Sequence, residues 1–207
     1  MLFHIVRFLS YTFCLIYFRI GFHGTSKVPL EGPVIIAPNH ESYFDPIWVS
    51  LPMPCPMRYM TWDRMFKVPI LGTVMRAFGA FPVNVKIGDR GALRLSLEHL
   101  KSGGGLVIFP EGSRTRTGDI QPFKHGVIRL ALESGAPIVP VTIIGGYRAL
   151  GPHHRFPRPV KVTIVYHQPM RLEMPADRKD LKPYLYEKSD ELRAVVNSSL
   201  LAGSELG

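Results

Sequence analysis

A chain of 207 residues in which 46% are hydrophobic is long enough to fold as one domain with a sizeable core. It contains no repeat or low-complexity segment, and its two cysteines, Cys14 and Cys55, exclude a disulfide framework and a cysteine-based metal site. The 25 Lys and Arg residues outnumber the 16 Asp and Glu residues and give a net charge of +9, which favours an anionic partner. Because the basic residues are dispersed and no nucleic-acid-binding module is present, we expect a membrane surface or an anionic substrate rather than nucleic acid.

The N-terminal segment, MLFHIVRFLSYTFCLIYFRI, is apolar and rich in aromatic residues. Only eleven uncharged residues separate Arg7 from Arg19, against about 20 needed to span a bilayer. We therefore predict a monotopic, membrane-associated helix in residues 1–24 that precedes a domain in residues 25–207. Three alternatives stay open: a span whose arginines reach the interface, a signal peptide that lacks a small-residue cleavage site, and a core helix packed on the domain.

Hydrophobic runs and helical periodicity alternate along the rest of the chain. This order predicts an α/β domain with a mixed central sheet flanked by helices. The predicted strands are residues 34–36, 58–61, 81–85, 106–109, 138–144 and 160–165. The predicted helices are residues 46–51, 69–78, 89–101, 124–133 and 182–201.

The stretch PNHESYFDP leaves the strand of residues 34–36 and places His40 five residues before Asp45. Five residues turn an ideal helix by about 500°, so the two side chains would point roughly 140° apart on one helix. A bend at the strand's carboxyl end would instead bring the carboxylate to one imidazole nitrogen and leave the other to take a proton. The alternative is structural: Asp45 before Pro46 suits a helix N-cap, and Ser42-x-x-Asp45 fits a capping box.

A second polar stretch, FPEGSRT, follows the predicted strand of residues 106–109. Arg114 offers a planar fork of donors that suits phosphate, Ser113 a hydroxyl, and Gly112 a backbone open to close approach. Glu111 would repel a phosphate, so we expect it to bind a ligand hydroxyl, orient an arginine or hold the loop. Lys124 adds a cation at a predicted helix start. The alternative is a solvated turn with a surface salt bridge and a solvated lysine.

Taken in order, these segments resemble the glycerophospholipid acyltransferase family. NHESYFD resembles the family's first motif, GAFPVNV (residues 79–85) the second, FPEGSRT the third and IVPV (residues 138–141) the fourth. FKVPILG and FKHG beside them are also similar to the family, so the resemblance covers residues 25–170.

The resemblance implies transfer of an acyl group from acyl-CoA or acyl carrier protein, as co-substrate and with no cofactor, to a lysophospholipid. Lysophosphatidic acid is the first acceptor implied, with phosphatidic acid as product; another lysolipid or glycerol phosphate is the alternative. His40 would be the general base and Asp45 its orienting group. The acceptor head group would bind Glu111, Gly112, Ser113, Arg114 and Lys124. The site would face membrane lipids at the cytoplasmic face of the inner membrane.

One position departs from the family pattern. The second motif usually ends in an arginine that helps to bind the acceptor's phosphate, and Val85 stands in its place here. Lys86 or Arg90 could substitute, or the acceptor could lack a phosphate monoester.

Other classes of protein are less well matched. No Gly-x-Ser-x-Gly of a serine lipase or thioesterase occurs, which leaves Ser42 and Cys55 as the nucleophile candidates near the first motif. A non-catalytic membrane-binding protein would need neither His40 nor Asp45. His153 and His154 lie in an arginine- and proline-rich loop without acidic neighbours, so we expect no metal site there.

Overall fold

Seven strands form one sheet with helices on both of its faces. The computed structural model describes residues 2–53, 57–62, 67, 72, 76, 79–83 and 90–204. The strands are β1 (Gly21–His23), β2 (Val34–Pro38), β3 (Arg58–Trp62), β4 (Ala80–Val83), β5 (Gly105–Val107), β6 (Ile138–Ile144) and β7 (Thr163–Tyr166). The helices are α1 (Leu2–Tyr17), α2 (Asp45–Ser50), α3 (Arg90–Lys101), α4 (Gly126–Ser134), α5 (Gly146–Leu150) and α6 (Leu181–Ser204), with 3-10 turns at Thr25–Lys27 and Arg178–Asp180.

The sheet has the strand order β1-β7-β6-β2-β5-β3-β4. All neighbouring strands are parallel except β6 and β7, which are antiparallel. The prediction of a mixed central sheet flanked by helices is therefore confirmed. Its centre is β2, which pairs with β6 on one side and with β5 on the other.

The residues of β2 alternate between two hydrophobic layers, as the two-residue period of a strand requires. Val34 and Ile36 belong to a core on one face of the sheet, which includes Trp48 of α2. Ile35 and Ala37 belong to a core on the other face, which includes Ile128 of α4. Burial on both faces explains why this strand is apolar throughout.

The C-terminal end of α1 packs against the domain. Cys14 and Phe18 are buried in the same core as Trp48, and the Tyr17 hydroxyl donates a hydrogen bond of 2.8 Å to the Pro157 carbonyl. The ring of Phe18 lies 5.2 Å from the ring of Trp48, edge to face. In this part of α1 the structure matches the alternative of a helix packed on the domain. Within the described ranges, no helix has both the length and the apolar character needed to cross a bilayer.

Most element boundaries within the described ranges differ from the predicted ones by one to three residues. The last strand begins at Thr163 rather than at residue 160, and α4 begins at Gly126, so Lys124 precedes that helix. Strand β1 and helix α5 were not predicted, because three- and five-residue elements are too short to show periodicity. Of the predicted helix of residues 69–78 only residues 72 and 76 are described, and both are helical; the end of the predicted strand at residues 84–85 lies outside the described residues.

Phe18 should contribute more to stability than any exposed aromatic residue of the N-terminal segment. Its side chain is fully buried, so Phe18→Ala leaves a cavity against Trp48, and we expect a loss of about 3–5 kcal/mol in the free energy of unfolding. Phe8→Ala is the matched control, because Phe8 is 68% exposed and should change stability by less than about 0.5 kcal/mol. Urea denaturation measures both variants, and equal effects would show that α1 is not docked as described.

Candidate active site

The sequence-predicted polar residues meet at the carboxyl ends of β2 and β5. These strands are parallel neighbours, so their following loops emerge at the same edge of the sheet. The chain after β2 leads to α2 on one face, and the chain after β5 leads to α4 on the other. Connections that leave to opposite faces open a crevice at this edge, which is where ligands bind in open α/β sheets.

Asn39 sets the direction in which the chain leaves β2. Its side-chain amide accepts a hydrogen bond of 2.7 Å from the Ile143 backbone N–H and donates one of 3.0 Å to the Ile143 carbonyl. The amide therefore continues the pairing with β6 by one step after the backbone of β2 has turned away. As a result, His40 lies above the sheet edge rather than in the strand.

One oxygen of the Asp45 carboxylate accepts the hydrogen bonds that form the turn after β2. Its Oδ2 atom lies 2.8 Å from His40 Nδ1 and accepts hydrogen bonds of 2.7 Å from the backbone N–H groups of both Glu41 and Ser42. The bend predicted from the spacing is therefore confirmed. Asp45 is not the N-cap, because Phe44 occupies that position, and the carboxylate points back to the turn.

This arrangement holds the His40 ring in one orientation. With Nδ1–H donated to the buried Asp45, the lone pair of the neutral ring is on Nε2, at the far side of the ring from the carboxylate. The side chain of Asp45 is 0% exposed and that of His40 is 17% exposed, so a ligand can reach the imidazole but not the acid. The Phe109 ring stacks on the imidazole with the ring centroids 3.9 Å apart.

Glu111 connects the second loop to the first. Its Oε1 atom accepts a hydrogen bond of 2.6 Å from the His40 backbone N–H, and its Oε2 atom accepts one of 2.9 Å from the Gln121 N–H. The Thr115 N–H donates a hydrogen bond of 2.8 Å to the His40 carbonyl, so both the N–H and the carbonyl of His40 are bound to this loop. Of the roles expected for Glu111, the geometry favours holding the loop. Its contact with an acceptor stays a prediction.

Arg114 and Lys124 lie at the outer side of the same loop. The Arg114 guanidinium carbon lies 3.4 Å from the centroid of the Tyr43 ring. Lys124 is exposed, with its ammonium next to Gly112, whose φ of +75° is a backbone conformation that favours glycine. Ser113 is exposed. The structure thus brings these four predicted residues to one side of His40.

A further acidic residue of the first motif, Glu41, was not singled out in the sequence. It is buried, and it accepts hydrogen bonds from the Asn39 amide at 3.2 Å and from the Tyr147 N–H at 2.9 Å. A Cβ atom at Gly146 would lie 3.0 Å from Glu41 Oε2 and 3.3 Å from Asp45 Oδ1, so the backbone of Gly146 packs closely against both acids. Adjacency to His40 was the only signal that marked Glu41.

The remaining candidates lie outside this site or outside the described residues. Cys14 is a buried free thiol, and burial raises its pKa to about 11. His153 is exposed, and among the described residues no cluster of three or more His, Cys, Asp or Glu side chains is arranged to hold a metal ion. Cys55, Val85 and Lys86 lie outside the described residues, and Arg90 is described only as the first residue of α3.

Comparison with known proteins agrees with this geometry. The family model described as Acyltransferase matches residues 19–144, which include both loops of the site. This chain therefore belongs to the acyltransferase family, and the resemblance seen in the four motifs is confirmed.

Individual relatives extend the comparison. The chain is 28% identical over 133 residues to the chloroplastic 1-acyl-sn-glycerol-3-phosphate acyltransferase of Brassica napus, covering 62% of this chain and 38% of that protein. It is 32% identical over 122 residues to the 1-acyl-sn-glycerol-3-phosphate acyltransferase of Borreliella burgdorferi, covering 58% and 49%. The chain thus matches half or less of the length of these relatives.

A solved structure shares the fold. The crystal structure of the 1-acyl-sn-glycerophosphate (LPA) acyltransferase PlsC from Thermotoga maritima superimposes with a TM-score of 0.74 at 22% sequence identity. The superposition covers 97% of this chain and 79% of that one, so the fold similarity includes the N-terminal segment as well as the domain.

The two buried glutamates should make the protein less stable as the pH rises. Burial raises the pKa of Glu41 to about 8 and that of Glu111 to about 7, from an ordinary value of 4.5. At pH values between the ordinary pKa and these raised pKa values, the folded state binds more protons than the unfolded state. The free energy of unfolding therefore falls as the pH rises from about 4.5 to about 8. We expect a smaller fall in Glu41→Gln than in the wild type.

Urea denaturation at about pH 5 and about pH 8 measures this difference. Glu98→Gln is the matched control, because Glu98 is an exposed glutamate paired with Arg94 and should leave the pH dependence unchanged. Identical pH dependence in the wild type and in Glu41→Gln would contradict a neutral, buried Glu41.

Proposed function

We propose that the protein transfers a fatty acyl group from a thioester, acyl-CoA or acyl carrier protein, to the hydroxyl group of a lysophospholipid. The observation that carries this proposal is the contact of 2.8 Å between His40 Nδ1 and the buried Asp45 carboxylate, at the carboxyl end of β2. This geometry leaves Nε2 as the proton acceptor on the accessible side of the ring. Membership of the acyltransferase family supports the reaction class.

In the proposed acyl transfer, His40 is the one residue that accepts and returns a proton. His40 Nε2 takes the proton of the acceptor hydroxyl as its oxygen forms a bond to the thioester carbonyl carbon. The tetrahedral intermediate then breaks its carbon–sulfur bond, and the departing thiolate takes the proton from Nε2. The Asp45 carboxylate stabilises the imidazolium between these two steps. The products are an ester and a free thiol.

A nucleophile from the protein is not required, and Ser42, the described candidate of the first motif, is poorly placed for that role. Ser42 is fully buried, and its Oγ atom accepts a hydrogen bond of 3.2 Å from the Phe44 N–H. A buried hydroxyl already used in the turn is not available to attack a bound thioester. This favours direct transfer over an acyl-enzyme intermediate.

Lysophosphatidic acid is the acceptor that we propose first. The relatives named above are 1-acyl-sn-glycerol-3-phosphate acyltransferases, and 1-acyl-sn-glycerol 3-phosphate is a lysophosphatidic acid. Arg114 and Lys124 supply cations at the outer side of the loop, where a phosphate monoester would bind. Val85, which replaces the usual arginine, keeps a different lysolipid or glycerol phosphate as the alternative.

Thiol release from palmitoyl-CoA tests the reaction. With lysophosphatidic acid as acceptor, His40→Ala should lower kcat by about 10²- to 10⁴-fold, because general base catalysis is lost. Asp45→Asn should lower kcat while KM stays near the wild-type value, because the imidazolium loses its counter-charge. His23→Ala, in an exposed residue of β1, is the control and should keep wild-type turnover.

Other acceptors separate the remaining possibilities. If His40-dependent thiol release occurs only with glycerol phosphate or only with a zwitterionic lysolipid, the proposed acceptor is wrong. The proposed acyl-transfer reaction then still stands. Absence of release with either acyl-CoA or acyl carrier protein as donor, alongside retained lipid binding, would favour a non-catalytic membrane-binding protein. Near-normal turnover in His40→Ala would overturn the assignment.

The outward face of α1 is the surface that we propose to contact the membrane, at the cytoplasmic face of the inner membrane. At 100° per residue its exposed apolar residues fall within an arc of roughly 160°, opposite the buried Cys14. The members of this face are Phe8, Leu9, Phe13, Leu15 and Ile16. Such a face suits a helix that lies in the interface plane, and the net charge of +9 suits anionic lipid.

Flotation with vesicles that contain anionic lipid tests this surface. Phe8→Asp combined with Ile16→Asp should weaken binding about tenfold or more, because two apolar side chains no longer enter the interface. Leu30→Asp is the matched control, since Leu30 is 78% exposed but lies outside α1, and it should bind as the wild type does. Equal binding by all three proteins would exclude this face as the contact.

A further inference from the structure

We infer that Tyr43 is a positioning residue for the acceptor's phosphate: its ring holds the Arg114 guanidinium at the mouth of the site while leaving the hydrogen-bond donors of that group available. This inference rests on the proposed function. Tyr43 is one of the residues between His40 and Asp45, and nothing in the reaction itself requires an aromatic residue there.

The geometry of the pair is that of a cation over an aromatic face. The Arg114 guanidinium carbon lies 3.4 Å from the Tyr43 ring centroid, well within the distance at which such contacts are attractive. Tyr43 is 45% exposed and Arg114 is half-buried, so the pair lies at the solvent side of the crevice. A ligand that enters from solvent would meet the guanidinium before it reaches His40.

The contact orients the guanidinium without using its donors. A carboxylate partner would occupy N–H groups of the fork and neutralise its charge, whereas an aromatic face contacts the plane and leaves the edge of the group unbound. The Arg114 Nη1 atom is buried and has no hydrogen-bond partner in the described part of the chain. A buried donor without a partner is costly, so it marks the place where a ligand oxygen would be bound.

The nearby acid does not compete for Arg114. Both oxygens of Glu111 accept backbone hydrogen bonds, from His40 N–H and Gln121 N–H. The loop is also bound to His40 on either side of Arg114, by the Glu111 carboxylate and by the Thr115 backbone N–H. The loop thus has a set position relative to the imidazole, and the remaining freedom is that of the long Arg114 side chain.

Tyr43 removes that freedom. A lysophospholipid whose phosphate is bound by Arg114 must present its hydroxyl to His40 Nε2, so the position of the guanidinium sets where the hydroxyl falls. Tyr43 therefore acts through Arg114, and its loss should affect the acceptor rather than the thioester donor. A zwitterionic or uncharged acceptor should be less sensitive to that loss than a phosphate monoester.

Steady-state kinetics with Tyr43→Leu tests the inference. We expect KM for lysophosphatidic acid to rise roughly threefold to thirtyfold, the range that a cation–aromatic contact corresponds to, and KM for palmitoyl-CoA to stay within about twofold. Tyr43→Phe keeps the ring face and should restore most of the loss. Tyr184→Leu, which removes the ring contacted by Lys188 on α6, is the matched control and should leave both constants unchanged.

The double variant shows whether Tyr43 acts through Arg114. If it does, Tyr43→Leu should have little further effect in an Arg114→Ala background, because the group that it positions is absent. An equal loss in both backgrounds, or a KM for lysophosphatidic acid that Tyr43→Leu does not change, would overturn the inference.

Equilibrium binding of lysophosphatidic acid in neutral detergent micelles separates this inference from the proposed reaction. The same loss of affinity in Tyr43→Leu, measured by calorimetry, would support the role of Tyr43 even if the wild type released no thiol. Thiol release by the wild type together with unchanged binding and kinetics in Tyr43→Leu would support the reaction and reject the role of Tyr43.

Discussion

The structure of the site depends on one oxygen atom, Oδ2 of Asp45. It accepts the Nδ1–H of His40 and the backbone N–H groups of the two residues that follow His40, all within 2.8 Å. Three donors converging on one buried carboxylate oxygen fold residues 40–45 into a single turn. The same bonds that shape the backbone therefore also orient the imidazole, so a substitution that removes this oxygen would disturb the turn and the imidazole together.

The second constraint is that β2 and β5 are adjacent and parallel. Their loops are about 70 residues apart in sequence, yet Glu111 and Thr115 bind both the N–H and the carbonyl of His40. Phe109 adds a ring stacked on the imidazole. His40 is thus held by Asp45 through its side chain and by the second loop through its backbone.

Most of the fold was predictable because its central elements are long or strongly apolar. The β6 prediction of residues 138–144 matches the structure, since a continuous buried run has clear ends, whereas β1 and α5 are too short to give a periodic signal. Within the site, the spacing of His40 and Asp45 predicts a bend. The roles of Asn39 and Tyr43 depend on contacts with Ile143 and Arg114, which lie about 70 to 100 residues away and leave no local pattern.

The presence of acids beside the proposed phosphate-binding residues has a physical explanation in the same geometry. Burial raises the pKa of Glu41 to about 8 and that of Glu111 to about 7, so near neutral pH both carry less than their full negative charge. The cations of Arg114 and Lys124 lie on the solvent side of the loop, and an approaching anion meets them first. A carboxyl group that is buried, hydrogen-bonded and only partly ionised can therefore hold the loop with less repulsion of the substrate that the loop is proposed to bind.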